Sequence, residues 1–282
     1  MKVLVTGATG GLGTLIVNNL LSRGIEVVAT SRDQAKAEKS DFFNKVIFKA
    51  YSIENNPRED LYAYFEKPDA LIHCAWDKLG AAEYKNPMHT QVILGQHKDF
   101  LKNLLQNGLK DITVIGSVYE YGITEGELSE DMPSEPTVEY SIAKNLLREF
   151  LQEEQANFDF VLKWMRVFYV FGEVKGRKNL YTLLAEAVNR EDKTFNMSGG
   201  QQTRDFLTSE EIADIIVRAS IQKEVNGIIN CCSGKPVVLI DIIQDYIKKH
   251  NSSIELNLGF YPYPDYEPMH TWGSVEKLNK IK

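Results

Sequence analysis

The sequence predicts an α/β fold: a doubly wound parallel sheet with a smaller C-terminal lobe. Three observations predict it. Short, continuously apolar runs alternate with helical periodicity through the first 167 residues. The first run leads straight into a glycine-rich turn, and the alternation loosens after Gly172. Strands separated by helical crossovers form parallel βαβ units, and strands covered on both faces carry unbroken apolar character.

The elements follow in chain order. Residues 3–5 read as a buried strand, and residues 12–21 as a helix with Leu12, Leu15, Ile16 and Leu20 on one face. Strand-like runs follow at 25–28, 46–48, 70–73 and 112–115, with helix candidates at 58–65 and 92–105 between them. A helix over 138–154 follows Pro133 and Pro136, and a strand runs over 160–167. Beyond Gly172, helices are expected near 180–189, 210–220 and 239–249, with extended pieces at 227–231 and 254–258. The segment 261–268 carries too much proline and aromatic for a helix and reads as an ordered loop. The expected division is a nucleotide-binding domain over 1–167 and a substrate-binding lobe over 168–282, with some later segments returning to the sheet.

Composition narrows the partners. The 282 residues carry 32 Lys and Arg against 39 Asp and Glu, a net charge of −7. That balance counts against nucleic acid, which is met by a basic patch. The three cysteines, Cys74, Cys231 and Cys232, build neither a CxxC nor a zinc spacing, so no metal is expected. Their odd number suits a reducing compartment. The most apolar stretch, 158–171, is broken by Lys163 and Arg166, so no membrane span is expected. Met1-Lys2 leads into a strand rather than a signal peptide. A cytoplasmic protein is the expectation.

The glycine turn is Thr6-Gly7-Ala8-Thr9-Gly10-Gly11-Leu12-Gly13. Gly7 allows the tight turn, Gly10 lets backbone approach a pyrophosphate, and Gly13 lets helix pack closely on strand. The diphosphate then meets the positive end of the helix, as in a Rossmann-type nucleotide-binding fold. Gly7, Thr9, Gly10, Gly11, Leu12 and Gly13 are thus the expected cofactor contacts. The second strand ends in Ala29-Thr30-Ser31-Arg32, without the acid that accepts the 2′-hydroxyl of NAD. A guanidinium suits a 2′-phosphate, so Ser31 and Arg32 predict NADP(H). NAD(H) is the alternative, with Asp33 on the ribose and Arg32 a solvated loop residue.

Tyr140-Ser-Ile-Ala-Lys144 places a phenol and an ammonium at i and i+4 on one helix face, about 5–6 Å apart. A free tyrosine titrates near pKa ~10, and a lysine charge beside it favours phenolate. Alone, such a pair is a common surface coincidence. Here Ser117 ends the fifth strand and precedes Tyr140 by 23 residues.

With the TGATGGLG wording, these features resemble the extended branch of the short-chain dehydrogenase/reductases, the NAD-dependent epimerase/dehydratase family. The resemblance implies Ser117 as a hydrogen-bond partner of the substrate oxygen, Tyr140 as acid and base, and Lys144 as its tuner and a ribose ligand. It implies Cys74 and Ala75, in Leu-Ile-His-Cys-Ala, as the wall of the cofactor site. Arg166-Val-Phe-Tyr-Val-Phe-Gly172 is similar to the family's R-x-F-N-x-x-G segment, with Tyr169 where asparagine is usual. Arg204-Asp-Phe-Leu resembles the segment whose arginine grips a nucleotide-sugar diphosphate. Trp272 to Leu278 resembles the closing motif. Trp76, Ser117, Tyr119, Tyr169 and Arg204 are the expected substrate contacts. The bland readings are that Arg204 pairs with a carboxylate, and that Tyr119, Tyr121 and the 261–266 aromatics fill an interface between lobes. His73 and Cys74 read as a packed strand end, and His89, His97, His250 and His270 as scattered.

The same resemblance implies a reaction. Dehydratases of the family carry Asp-Glu after the Ser/Thr, where this chain has Val118 and Tyr119. Epimerase-reductases of the GDP-fucose synthase type carry cysteine at the place of Tyr119. The expectation is therefore NADPH-dependent reduction of a nucleotide-linked 4-keto-6-deoxy sugar, of the dTDP-4-dehydro-6-deoxyglucose reductase type, for surface polysaccharide. The alternative is a 4-epimerase that recycles NAD(P). A non-catalytic NADP-sensing protein would be expected to have lost the Tyr140/Lys144 pair. A homodimer is expected through helices 92–105 and 138–154, using Leu101, Leu105, Ile142, Leu146 and Phe150.

Overall fold

The computed structural model describes residues 1–54, 59–77, 81–172 and 179–281. Arg58, which opens the helix expected over 58–65, lies outside them. The first half of the chain runs β1 (Lys2–Thr6), α1 (Gly11–Ser22), β2 (Glu26–Ser31), α2 (Gln34–Glu38), β3 (Ile47–Ala50), α3 (Leu61–Tyr64), β4 (Ala70–His73), α4 (Leu94–Gln106) and β5 (Asp111–Ser117). It continues through β6 (Gly126–Leu128), α5 (Glu139–Glu154), β7 (Val161–Val167), β8 (Tyr169–Val170), α6 (Leu180–Asn189), β9 (Thr194–Asn196) and β10 (Thr203–Leu207). The remainder is α7 (Ser209–Ile221), β11 (Gly227–Cys231), β12 (Pro236–Val238), α8 (Leu239–Lys249), β13 (Glu255–Asn257) and β14 (Thr271–Gly273).

Seven strands form one parallel sheet in the order β11-β7-β5-β4-β1-β2-β3. Along β1, Val3 and Val5 pack on one face with Ile16, Ile72 and Ile216, whereas Leu4 packs on the other with Leu71, Phe100 and Trp164. Successive side chains point to opposite faces, so a strand covered twice must be apolar throughout. That is the physical origin of the unbroken runs. The strand order reverses between β1 and β4, and such a switch point opens a crevice at the carboxyl ends of the strands.

Residues beyond 168 supply β11 to this sheet and α7 to its covering layer. The others form a three-stranded sheet, β12-β10-β8, the pair β13-β9, and β14, which pairs with β6 from the first half of the chain. Leu184, Phe195, Met197, Leu239 and Ile243 make a separate core beneath α6 and α8. The segment 261–268 holds neither helix nor strand. Before α4, residues His89–Ile93 form a single wide π-helical turn that the sequence did not announce. Leu101 and Leu105 are buried in the chain's own core, so neither is free to line a dimer seam. Among the described residues no helix is long and apolar enough to cross a membrane.

Candidate active site

Gly7, at φ 66°, turns the chain out of β1, and a Cβ there would lie 2.9 Å from the Ala75 nitrogen. A Cβ on Gly13 would overlap the Gly7 oxygen, and one on Gly10 would come within 3.2 Å of it. Only hydrogen fits at Gly7 and Gly13, and Gly10 is tight, which leaves a bare cradle at the amino end of α1. A dinucleotide diphosphate fits such a cradle. Thr9, Gly11 and Leu12 lie on the same turn, half-buried. Opposite, the Ala75 N–H donates to Thr6 Oγ1 at 3.2 Å, so residues 74–75 close in on Gly7 as the wall. Burial pushes the Cys74 thiol up to about 12, which leaves it inert.

Arg32 stands at the end of β2, as expected, but its charge is engaged. It donates to Glu54 at 2.8 Å and makes a two-pronged pair with Asp77 at 2.9 Å. Asp33 is used locally, accepting from the Lys36 N–H to cap α2. Ser31 Oγ donates to the Asp33 carbonyl oxygen at 3.3 Å.

Tyr140 and Lys144 occupy the first two turns of α5 and face the tips of β4 and β5. Lys144 Nζ donates to the Ile115 carbonyl at 2.8 Å and sits 3.9 Å from the Trp76 ring centre. The Tyr140 ring meets Trp76 edge-on at 6.2 Å and stacks on Tyr84 at 5.1 Å. Burial drives the Lys144 ammonium down to about 7, against the Glu120 negative charge that holds it up. Ser117, two residues beyond the carbonyl that holds Lys144, ends β5 in the same crevice.

Ser117 is held by a residue that sequence reasoning passed over. Glu120 is fully buried and accepts from the Ser117 N–H at 2.8 Å, while Ser117 Oγ accepts from the Tyr119 N–H. The same carboxylate accepts from Trp164 Nε1 at 2.8 Å and Arg166 Nε at 3.1 Å. A buried charge persists only when paired and hydrogen-bonded, and Glu120 meets both conditions. Ser-x-x-Glu is a capping-box spacing, the one signal that could have found it. The histidines also gather. His73 Nε2 and His97 Nδ1 lie 2.7 Å apart, His97 stacks on Trp76 at 4.5 Å, and Trp76 Nε1 donates to His89 Nδ1 at 3.1 Å. Among the described residues no group of three His, Cys, Asp or Glu is placed to hold a metal.

Tyr119, Tyr169 and Arg204, three of the expected substrate contacts, come together. Tyr119 meets Tyr169 edge-on at 6.0 Å, and the Arg204 guanidinium lies 4.9 Å from the Tyr169 ring centre. Glu267 accepts from Arg204 Nη2 at 2.9 Å and from the Tyr119 hydroxyl at 2.8 Å. Burial and the Glu267 charge push the Tyr119 phenol well above its ordinary value. Trp76, another of the expected substrate contacts, packs among His97, His89 and Lys144.

The sequence matches the NAD dependent epimerase/dehydratase family over residues 3–232. The chain belongs to this family. It is thus a nicotinamide-dependent oxidoreductase of the epimerase/dehydratase type. It is 29% identical to dTDP-6-deoxy-L-talose 4-dehydrogenase (NAD(+)) of Aggregatibacter actinomycetemcomitans, covering 97% of this chain and 100% of the relative. It is 24% identical to GDP-6-deoxy-D-talose 4-dehydrogenase of the same organism, covering 95% and 87%. Its fold is similar to that of a UDP-glucose-4-epimerase from Stenotrophomonas maltophila with bound NAD, at a TM-score of 0.87, 18% identity, and 100% and 92% coverage.

Within this family two expectations are corrected. NADP(H) is overturned: two of these three relatives are described with NAD and none with NADP. The physical reason lies at Arg32, since a 2′-phosphate there would meet the carboxylates of Glu54 and Asp77. NADPH-dependent reduction of a 4-keto-6-deoxy sugar falls with it. That choice over epimerisation rested on Arg32, and the solved structures of similar fold include NAD-bound 4-epimerases.

Proposed function

We propose that the protein is an NAD-linked 4-epimerase of a sugar carried on a nucleoside diphosphate. The observation that carries this reading is the crevice where Ser117, Tyr140 and Lys144 lie beside the glycine cradle, with Val118 and Tyr119 where dehydratases have their acid and base. Tyr119 is tied to Glu267 and its phenol is hard to ionise, so it is no substitute for that base. When bound, NAD supplies the acceptor and then the donor of a hydride. Tyr140 takes the proton of the C4 hydroxyl and later returns it. The Lys144 charge eases ionisation of the phenol. Ser117 hydrogen-bonds the same oxygen as charge develops on it, and Glu120 fixes Ser117. Return of that hydride to the opposite face would invert C4. Arg32, with Glu54 and Asp77 beside it, leaves a ribose hydroxyl better matched than a phosphate.

A second reading, one-way oxidation at C4 by NAD+, is favoured by the full-length match to a 4-dehydrogenase. Incubation with NAD+ and a panel of UDP-, dTDP- and GDP-linked hexoses and 6-deoxyhexoses separates the two. A C4-inverted product without net NADH supports the epimerase. Stoichiometric NADH with a 4-keto product supports the dehydrogenase, and neither product across the panel contradicts both. A cytoplasmic homodimer joined along the α4 and α5 side completes the proposal. Support for the dimer comes from exposed Val92 and Leu146 and half-buried Ile142 and Phe150.

A further inference from the structure

His89, Trp76 and Lys144 stand in a line whose proton positions the geometry dictates. His89 Nε2 lies 3.1 Å from the Glu83 carbonyl oxygen, which can only accept, so Nε2 carries the hydrogen. His89 Nδ1 is then a free lone pair, and it receives the Trp76 Nε1–H, a group that can only donate, at 3.1 Å. The ring centre of the same indole lies 3.9 Å from Lys144 Nζ, inside the range of a cation–π contact. An indole that gives its N–H to an acceptor has a more electron-rich ring, so the imidazole strengthens the hold on the ammonium. The wide turn that delivers His89 is π-helical, a rare geometry frequent at functional sites.

We propose that His89 and Trp76 are positioning residues for Lys144: the imidazole accepts the indole N–H, and the indole face keeps the Lys144 charge in the crevice. The inference rests on the role given to Lys144 under the proposed function. The groups that bear on Lys144 are Glu120 from the turn after β5, Cys74 from the tip of β4, and Tyr140 on its own helix. His73 and His97 lie behind Trp76, and both are kept neutral by burial. His89 is faced by Glu83, Glu139 and Lys144.

The test is an NMR titration of the full chain with lysine labelled by carbon-13 at Cε, the Lys144 signal being assigned by its loss in Lys144→Met. The cation–π contact favours the ammonium, so its removal lowers the midpoint. His89→Leu and Trp76→Leu should each move the Lys144 midpoint down, Trp76→Leu by about one pH unit. His89→Asn, whose amide oxygen can accept near the position of Nδ1, should keep the wild-type midpoint. Unmoved midpoints in the leucine variants would overturn the proposal, as would His89→Asn shifting as far as His89→Leu. If Trp76→Leu does not fold, the two His89 variants decide. No substrate enters this experiment. An active enzyme with unmoved midpoints therefore sinks only this inference, and an inactive protein with shifted midpoints sinks only the proposed function.

Discussion

The Arg204 guanidinium, itself buried, donates across 2.9 Å to the half-buried Glu267 carboxylate on the aromatic segment 261–268. The resemblance assigned Arg204 to a diphosphate, and in the structure a carboxylate holds that place. Removing Glu267 strands the buried Arg204 charge, at a cost bounded by the about 3–5 kcal/mol of a fully buried pair. Glu267→Ala should therefore lower the urea midpoint of unfolding. A saturating nucleoside diphosphate should restore part of the loss, because its phosphates offer Arg204 a new anion. Unfolding curves of Glu267→Ala that do not respond to the nucleotide would remove Arg204 from the substrate site.

Arg32 makes a second prediction. Its pairing with Glu54 and Asp77 is exposed, so the pair adds little to stability; its proposed part is to favour a ribose hydroxyl over a phosphate. Glu54→Gln with Asp77→Asn removes both carboxylates and frees the guanidinium. NADP+ affinity should rise about tenfold, within the worth of one charge-assisted hydrogen bond, and NAD+ affinity should change less. Calorimetric titration that finds NADP+ binding unchanged would mean that Arg32 does not face the 2′ position.

The buried histidines predict an acid limb in stability. Burial holds His73 at about 3 and His97 well below its ordinary value of 6.5. The unfolded chain then binds more protons than the folded one between pH about 6.5 and about 3, so stability falls as the pH drops through that window. His73→Asn should flatten this part of the curve of unfolding midpoint against pH. An acid limb identical to wild type would show that other groups set it.

The α5 surface predicts association. Leu146 is 37% exposed and Val92, in the turn before α4, is 42% exposed. If this face joins two copies, light scattering at micromolar concentration gives twice the chain mass, and Leu146→Glu gives the 32.0 kDa of one chain. A wild-type mass of one chain would reject the dimer.

How far the sequence could be read follows the physics of each element. β4, β11, α6 and α8 have the bounds that their residue patterns predict. β4 and β11 lie in the main sheet, and the two helices carry a clear apolar face, so each pattern records its own burial. The short strands β8, β9, β10, β12, β13 and β14 were mostly illegible. β10 is created by pairing with Val237 and Val238 more than thirty residues later, which no local pattern encodes. The glycine cradle and the Tyr140/Lys144 pair were legible because their spacing is the chemistry. Glu120 was not, since its partners Trp164 and Arg166 lie 44 and 46 residues further on. The same limit hid the gathering of His73, His89 and His97, which arrive on different elements. Arg32 misled for the converse reason: the residue type suited a phosphate, and the carboxylates that claim it are 22 and 45 residues away.

Under the proposed function a hydride passes between C4 of a nucleotide-linked sugar and bound NAD while Tyr140 carries the proton. A sugar nucleotide deuterated at C4 tests it most directly, with mass spectrometry of both sugar and nicotinamide after incubation. The wild-type protein should pass deuterium to the nicotinamide and return it to C4 of the inverted sugar. Tyr140→Phe should stay folded and bind NAD but slow this transfer by about 10²–10⁴-fold, the usual loss on removing an acid–base group. Deuterium that never leaves C4 on any nucleotide sugar of the panel, or a Tyr140→Phe protein that transfers it at the wild-type rate, would contradict the account.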